Sequence, residues 1–154
     1  METHNLDVEE HEGELRSALV CEENAESKIA IGSALEKLRY VVEFAESTDD
    51  AFDKLRFKDY ALLVLNERFD GGGLENNAIY TLFQFMPMSR RRNIFLALIG
   101  GDFKTGDNMT AFEKSVNLVV NEKDIHNVKT ILKTSVADND NFYKVFKKNL
   151  AKKS

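Results

Sequence analysis

Glu22 and Glu23 follow the apolar run SALVC (17–21), and Asn66 closes a second apolar run within YALLVLNERFDGGG (60–73). In open α/β sheets, ligands and reactions gather just beyond the carboxyl ends of such strands. A carboxylate at position 66 could act as a nucleophile, whereas the neutral carboxamide oxygen of Asn66 is a poor one. Asn66 therefore keeps the shape and hydrogen bonding of an aspartate and gives up its covalent chemistry. A plainer reading also stands, in which Asn66 is a turn former leading into the glycines 71–73. Those glycines are expected to allow an awkward backbone path into the next helix. They lack the spacing and lysine of a phosphate loop.

Other candidate chemistry is sparse. His4, His11 and His126 are scattered, with the first two in an acidic stretch, and no Ser/His/Asp or Cys/His set suggests itself. Cys21 sits in an apolar run, where an inert buried thiol is the usual case. The cluster SRRRN (89–93) is expected to cap helix carbonyls and face water.

These residues need elements to position them. SALVC (17–21), YVVEFA (40–45), YALLVL (60–65), IFLALI (94–99) and VNLVV (116–120) read as strands. Ile31, Ala34, Leu35 and Leu38 form a helical stripe over 25–38, with steps of three and four. Ser47 or Thr48 can cap a helix beginning DDAFDKL, whose aspartates suit its first turn. Ile79, Leu82, Phe83 and Met86 mark a helix ended near Pro87, MTAFEK (109–114) is a short helix, and Ile125, Val128, Ile131 and Leu132 mark a final one. Five strands, each followed by a helix, predict a parallel sheet covered on both faces.

With those elements in place, the order strand, acidic pair, helix, strand, then STDDAFDKL before KDYALLVLN, resembles the receiver domain of bacterial two-component response regulators over residues 16–134. The resemblance implies a flavodoxin-like (βα)5 three-layer sandwich with strand order 2-1-3-4-5. It also implies a pocket in which two acids hold Mg²⁺ and an aspartate accepts phosphate. Here the acid positions hold Glu22 and Glu23, the acceptor position Asn66, the hydroxyl position Ile99, the lysine position Asn121 and the aromatic switch position Leu118. Lys123 is two residues too late. The implied domain is a pseudo-receiver with a degenerate phosphorylation pocket, no catalytic residue and no metal. Output in this family passes through a face drawn here from residues 107–136.

The remaining composition sets bounds. With 154 residues, 43% hydrophobic and 31% charged, the chain suits one globular domain. A net charge of −5 gives no general affinity for nucleic acid. No apolar run approaches the ~20 residues of a membrane span. A single cysteine and no signal-peptide pattern at the N-terminus lead to the expectation of a cytoplasmic protein. Residues 1–15 are expected to form a mobile acidic tail, 16–136 the receiver-like domain, and 137–154 a basic amphipathic helical extension, with ADNDN (137–141) breaking the final helix or capping a new one. On the extension, Phe142, Val145, Phe146 and Asn149 or Leu150 share a face ringed by lysines. Phe142, Phe146 and Leu150 would meet a partner protein or a second copy of the chain, or fold back on their own domain; an anionic membrane ranks third.

The expected function is a phosphorylation-independent signalling and protein-interaction module, not an enzyme, with no cofactor. Two alternatives stand beside it: an atypical receiver phosphorylated on Asp70, or a small ligand-binding or enzymatic flavodoxin-like domain. A flavin is disfavoured because Glu22, Glu23 and Glu26 would repel its phosphate at the first turn.

Overall fold

The computed structural model describes residues 15–153, and of Tyr143 and residues 146–153 the backbone alone. The expected acidic tail thus lies, but for Leu15, outside the described residues, as do the side chains of Phe146 and Leu150. Strands and helices alternate: β1 Ser17–Cys21, α1 Ala25–Lys37, β2 Val41–Phe44, α2 Thr48–Phe57, β3 Leu62–Asn66, α3 Ala78–Phe85, α4 Met88–Arg91, β4 Phe95–Gly100, α5 Asn108–Lys114, β5 Leu118–Asn121 and α6 Val128–Lys153. Short 3-10 segments, Leu74–Asn76 and Glu122–Asn127, lead into α3 and α6.

The strands are all parallel and lie in the order β2-β1-β3-β4-β5. This is the flavodoxin-like order that the sequence led us to expect. β3 and β4 are buried at every residue, as a central strand covered on both faces must be. Alternation then divides their side chains between two cores. Leu19, Leu63, Leu65 and Leu98 pack with Leu55 of α2, Ile79 and Phe83 of α3 and Ala111 of α5. Val20, Val64, Ala97 and Ile99 pack with Ile31 and Leu35 of α1 and with Val128 and Leu132 of α6. The approach of α1 to β2 is close enough that a Cβ on Gly32 would lie 2.9 Å from the Phe44 ring.

Side-chain caps fix the helix starts. Asn24, Ser47, Asn77 and Asp107 each accept a hydrogen bond from a first-turn N–H of α1, α2, α3 and α5. The arginine cluster serves the other ends, as its position suggested. Arg90 donates to the Leu55 carbonyl in the last turn of α2, and Arg91 donates to the Ser115 carbonyl just past α5. Arg92 donates to the Met88 carbonyl at 3.2 Å.

One expectation fails. Residues 137–141 do not break the last helix or start another: α6 runs unbroken from Val128 to Lys153. Asp and Asn lower helix propensity by only tenths of a kcal/mol each, Ala137 favours a helix, and the stretch includes no glycine or proline. An ion pair from Arg16 to Asp140 at 3.2 Å also ties this stretch to the start of β1.

Candidate functional site

The site lies where β1, β3, β4 and β5 end. Register sets it: Asn66 lies opposite Ile99, and Gly100 opposite Asn121. β1 ends at Cys21, so Glu22 is the first residue beyond it. Both Glu22 and Asn66 are buried, at 5% and 8% exposure, and burial obliges their polar atoms to find partners.

They find each other. Asn66 Nδ2 donates to Glu22 Oε1 at 2.9 Å. Glu22 Oε2 accepts the backbone N–H groups of Glu23 at 2.9 Å and Asn24 at 3.2 Å, just before α1. The other end of the carboxamide is used as well, because Asn66 Oδ1 accepts the Arg68 N–H at 2.9 Å. Asn66 thus joins two strand ends and shapes the turn after β3. A carboxylate at position 66 would lack the donor that faces Glu22.

The next loop is folded over this pair. Asp70 and the glycines Gly71 and Gly72 have φ of 64°, 90° and 77°, the left-handed region that glycine enters without strain. The triple glycine therefore does what the sequence suggested at two of its three positions. The Asp70 N–H donates to Glu23 Oε1. Asp70 Oδ2 accepts the Thr48 N–H at 2.9 Å, a bond that holds its carboxyl below the ordinary aspartate range. The acid proposed as a substitute phosphate acceptor is thus employed at the start of α2.

The remaining positions are filled by structure rather than by reactive groups. Ile99 is fully buried in the core between the sheet and α1 and α6, and Leu118 is buried in the same core. Asn121 Nδ2 donates to the carbonyls of Phe103 at 2.6 Å and Gly101 at 3.2 Å, and its Oδ1 accepts the Lys123 N–H at 2.9 Å. Where the resemblance implies a cation aimed at phosphate, a carboxamide pins the β4–α5 loop. Thr105 completes the clamp: its hydroxyl accepts the Asn121 N–H at 2.8 Å and donates to Asp124.

Sequence reasoning missed Glu67 and Gly100. The Glu67 N–H extends the β3–β4 ladder to the Ile99 carbonyl at 2.9 Å. Its side chain folds over the end of β4 so closely that a Cβ on Gly100 would lie 2.7 Å from the carboxyl group and from the Phe103 ring. Partial burial pushes the Glu67 carboxyl above the ordinary range; Arg68 opposes this shift, and Asp102 and Glu122 add to it. The only prior signal was the pair Gly100–Gly101 at a strand end.

The result is a shallow cleft of about 270 Å³ lined by Glu22, Glu23, Asn66, Arg68, Phe69, Gly71 and Glu122. Among the described residues, no group of three or more His, Cys, Asp or Glu side chains is placed to hold a metal ion. The receiver fold implies Mg²⁺ here, but the donor set does not fit it: both Glu22 oxygens already serve Asn66 and the turn into α1. Nor is any helix among the described residues long and apolar enough to cross a membrane.

Neither protein-family models nor curated protein sequences match this chain. Solved structures do. A response regulator from Thermotoga maritima aligns with a TM-score of 0.61 at 14% identity, over 80% of this chain and 99% of that one. A CheY-like receiver domain from Methylobacillus flagellatus aligns with a TM-score of 0.58 at 20% identity, over 79% and 99%. The receiver domain of a Luxo repressor protein from Vibrio parahaemolyticus aligns with a TM-score of 0.63 at 11% identity, over 86% and 98%. At such identities the likeness is one of fold: this chain folds as response-regulator receiver domains do.

Proposed function

We propose that this chain is a signalling module that works by binding another protein or a second copy of itself, on a receiver fold whose phosphorylation pocket has been retired. The observation that carries the reading is the buried Asn66–Glu22 hydrogen bond. It replaces an acceptor carboxylate and a metal ligand with a closed pair in which every polar atom has a partner. Asn121 supports it, since its amide holds loop carbonyls instead of presenting a cation. So does α5, which buries Ala111 while leaving Met109 and Phe112 exposed by 69% and 79%. Those two side chains lie on the face that the family resemblance marks for output, and exposed large apolar groups suit a protein partner.

Exposure to acetyl phosphate with Mg²⁺ tests this reading. Neither the intact mass nor the sedimentation of the chain should change. A stable phosphoryl adduct, or association that depends on the phosphodonor, would remove it.

A further inference from the structure

In a parallel sheet each connecting helix runs back to the end where the strands begin, so α2 and α3 finish together at that end. They lie side by side: Leu55, Ile79 and Phe83 share one core, and Arg90 reaches from α4 to the Leu55 carbonyl. The last residue of each helix is a phenylalanine turned outward. Phe57 is 81% exposed, Phe85 84%, and Met88, which starts α4, 62%. Large apolar groups exposed together mark a surface that meets something less polar than water.

Charge is concentrated around them. Residues 54–58 and 85–93 hold six basic side chains and no acid, in a chain of net charge −5. Lys54 is paired with Asp50 at 2.9 Å, and Lys58 with Glu43. Among the described residues, Arg56, Arg90, Arg91 and Arg92 have no ion-pair partner. Arg90, Arg91 and Arg92 donate to backbone carbonyls, which are neutral and leave the guanidinium charge uncancelled. Arg56 lies over the Phe57 ring, 5.8 Å from its centre. Two grooves of about 490 and 360 Å³ open at the same end, the first lined in part by Ser89 and Arg92, the second by Arg90, and both by Asn93. The acids that line them are Asp140, which Arg16 holds at 3.2 Å, and Asp59. Phe57, Phe85 and Met88 line neither groove; they stand outside them.

We propose that this end of the molecule docks on an anionic phospholipid surface. Phe57, Phe85 and Met88 enter the interface, and Arg56, Arg90 and Arg92 meet the phosphates. Protruding apolar groups ringed by cations match the layering of such a surface, apolar beneath and anionic at its edge. Guanidinium forks bind phosphate oxygens two at a time. A partner helix would instead call for a groove lined by apolar side chains, whereas these grooves are lined largely by polar ones. Stacked bases would call for aromatic faces, which Met88 does not offer. Docked in this way, the strand ends that carry Asn66 and Glu22 face solvent, so the proposal does not depend on the functional reading above.

Flotation should carry the full chain to phosphatidylcholine vesicles enriched in phosphatidylserine, and not to vesicles of phosphatidylcholine alone. Added salt should weaken the binding steeply. The chain has no tryptophan, so Phe85→Trp introduces a single reporter, whose emission should shift to the blue on the anionic vesicles. Ile29→Trp, on α1 at a site 73% exposed, should not shift. Phe57→Ser with Phe85→Ser, or Arg56→Gln with Arg92→Gln, should weaken binding by roughly tenfold or more. Both double variants should melt with the parent, because all four side chains are exposed. No binding to anionic vesicles, binding that survives either double substitution, or an unshifted Phe85→Trp spectrum would overturn the proposal. So would polyglutamate or single-stranded RNA shifting that spectrum in place of the vesicles, which would give the surface to a protein or a nucleic acid. None of these results bears on phosphodonor labelling, whose outcome judges the functional reading separately.

Discussion

Replacing Asn66 with aspartate should turn the most settled contact in the site into its most strained one. In the native chain Asn66 Nδ2 and Glu22 Oε1 are 2.9 Å apart, and both residues are buried. Asn66→Asp removes the donor, a charge-assisted bond worth about 1.5–3 kcal/mol. It also sets two carboxylates against each other, which repel by about 4 kcal/mol at ~4 Å and an effective dielectric near 20. The pair can escape by sharing a proton. Holding that proton at pH 7, about three units above an ordinary aspartate pKa, costs roughly 4 kcal/mol at ~1.36 kcal/mol per unit. The expected loss at pH 7 is therefore about 3–4 kcal/mol, or about 10 °C in melting temperature for a domain of this size. A shared carboxyl titrates higher in the folded than in the unfolded chain, so the folded state binds more protons between about pH 4 and pH 7. The deficit should be small at pH 4 and grow toward pH 7, and Mg²⁺ should reduce it by binding the new carboxylate pair. Asn66→Ala is the control, since it loses the same bond without adding charge, and its deficit should change with pH much less than that of Asn66→Asp. Thermal melts of the three proteins at both pH values, with and without Mg²⁺, decide the matter. If Asn66→Asp melts with the parent at pH 7, or tracks Asn66→Ala at both pH values, the close pairing of positions 66 and 22 is refuted.

Two further outcomes follow from Glu67 and its surroundings. Gly100→Ala should cost about 1–3 kcal/mol in urea unfolding, because its methyl would collide with the Glu67 carboxyl and the Phe103 ring; Gly101→Ala, whose Cβ would meet nothing closer than 3.6 Å, should cost much less. Glu67→Gln should melt above the parent at neutral pH, since burial raises the native carboxyl's pKa and a group so shifted loses stability as pH rises from its ordinary value through its raised one. That advantage should vanish below the ordinary glutamate range, and a gap that persists there would show that charge is not its cause.

Periodicity carried most of the fold, and the reason is physical. LLVL and FLALI are buried on both faces, so every residue had to be apolar, while Ile31, Ala34 and Leu35 needed only one face of α1. Asn66 could be placed in the site because it ends such a strand. Its partner could not be named, since the 2.9 Å bond to Glu22 joins residues 44 positions apart through strand register. Asn121 read as a missing lysine, but its contacts with the Gly101 and Phe103 carbonyls arise from a loop conformation that no local pattern encodes. The unbroken α6 was missed for a different reason. Asp and Asn are common at helix starts but cost little inside a helix, so ADNDN carried a boundary signal without the energy to enforce it.

We propose that this receiver fold no longer accepts phosphate, and intact mass after incubation with acetyl phosphate and Mg²⁺ tests that proposal most directly. The parent chain should gain nothing under conditions that label an active receiver domain run beside it. A stable gain of one phosphoryl group on the parent would contradict the account, and its loss in Asp70→Asn would then assign the phosphate to the neighbouring loop.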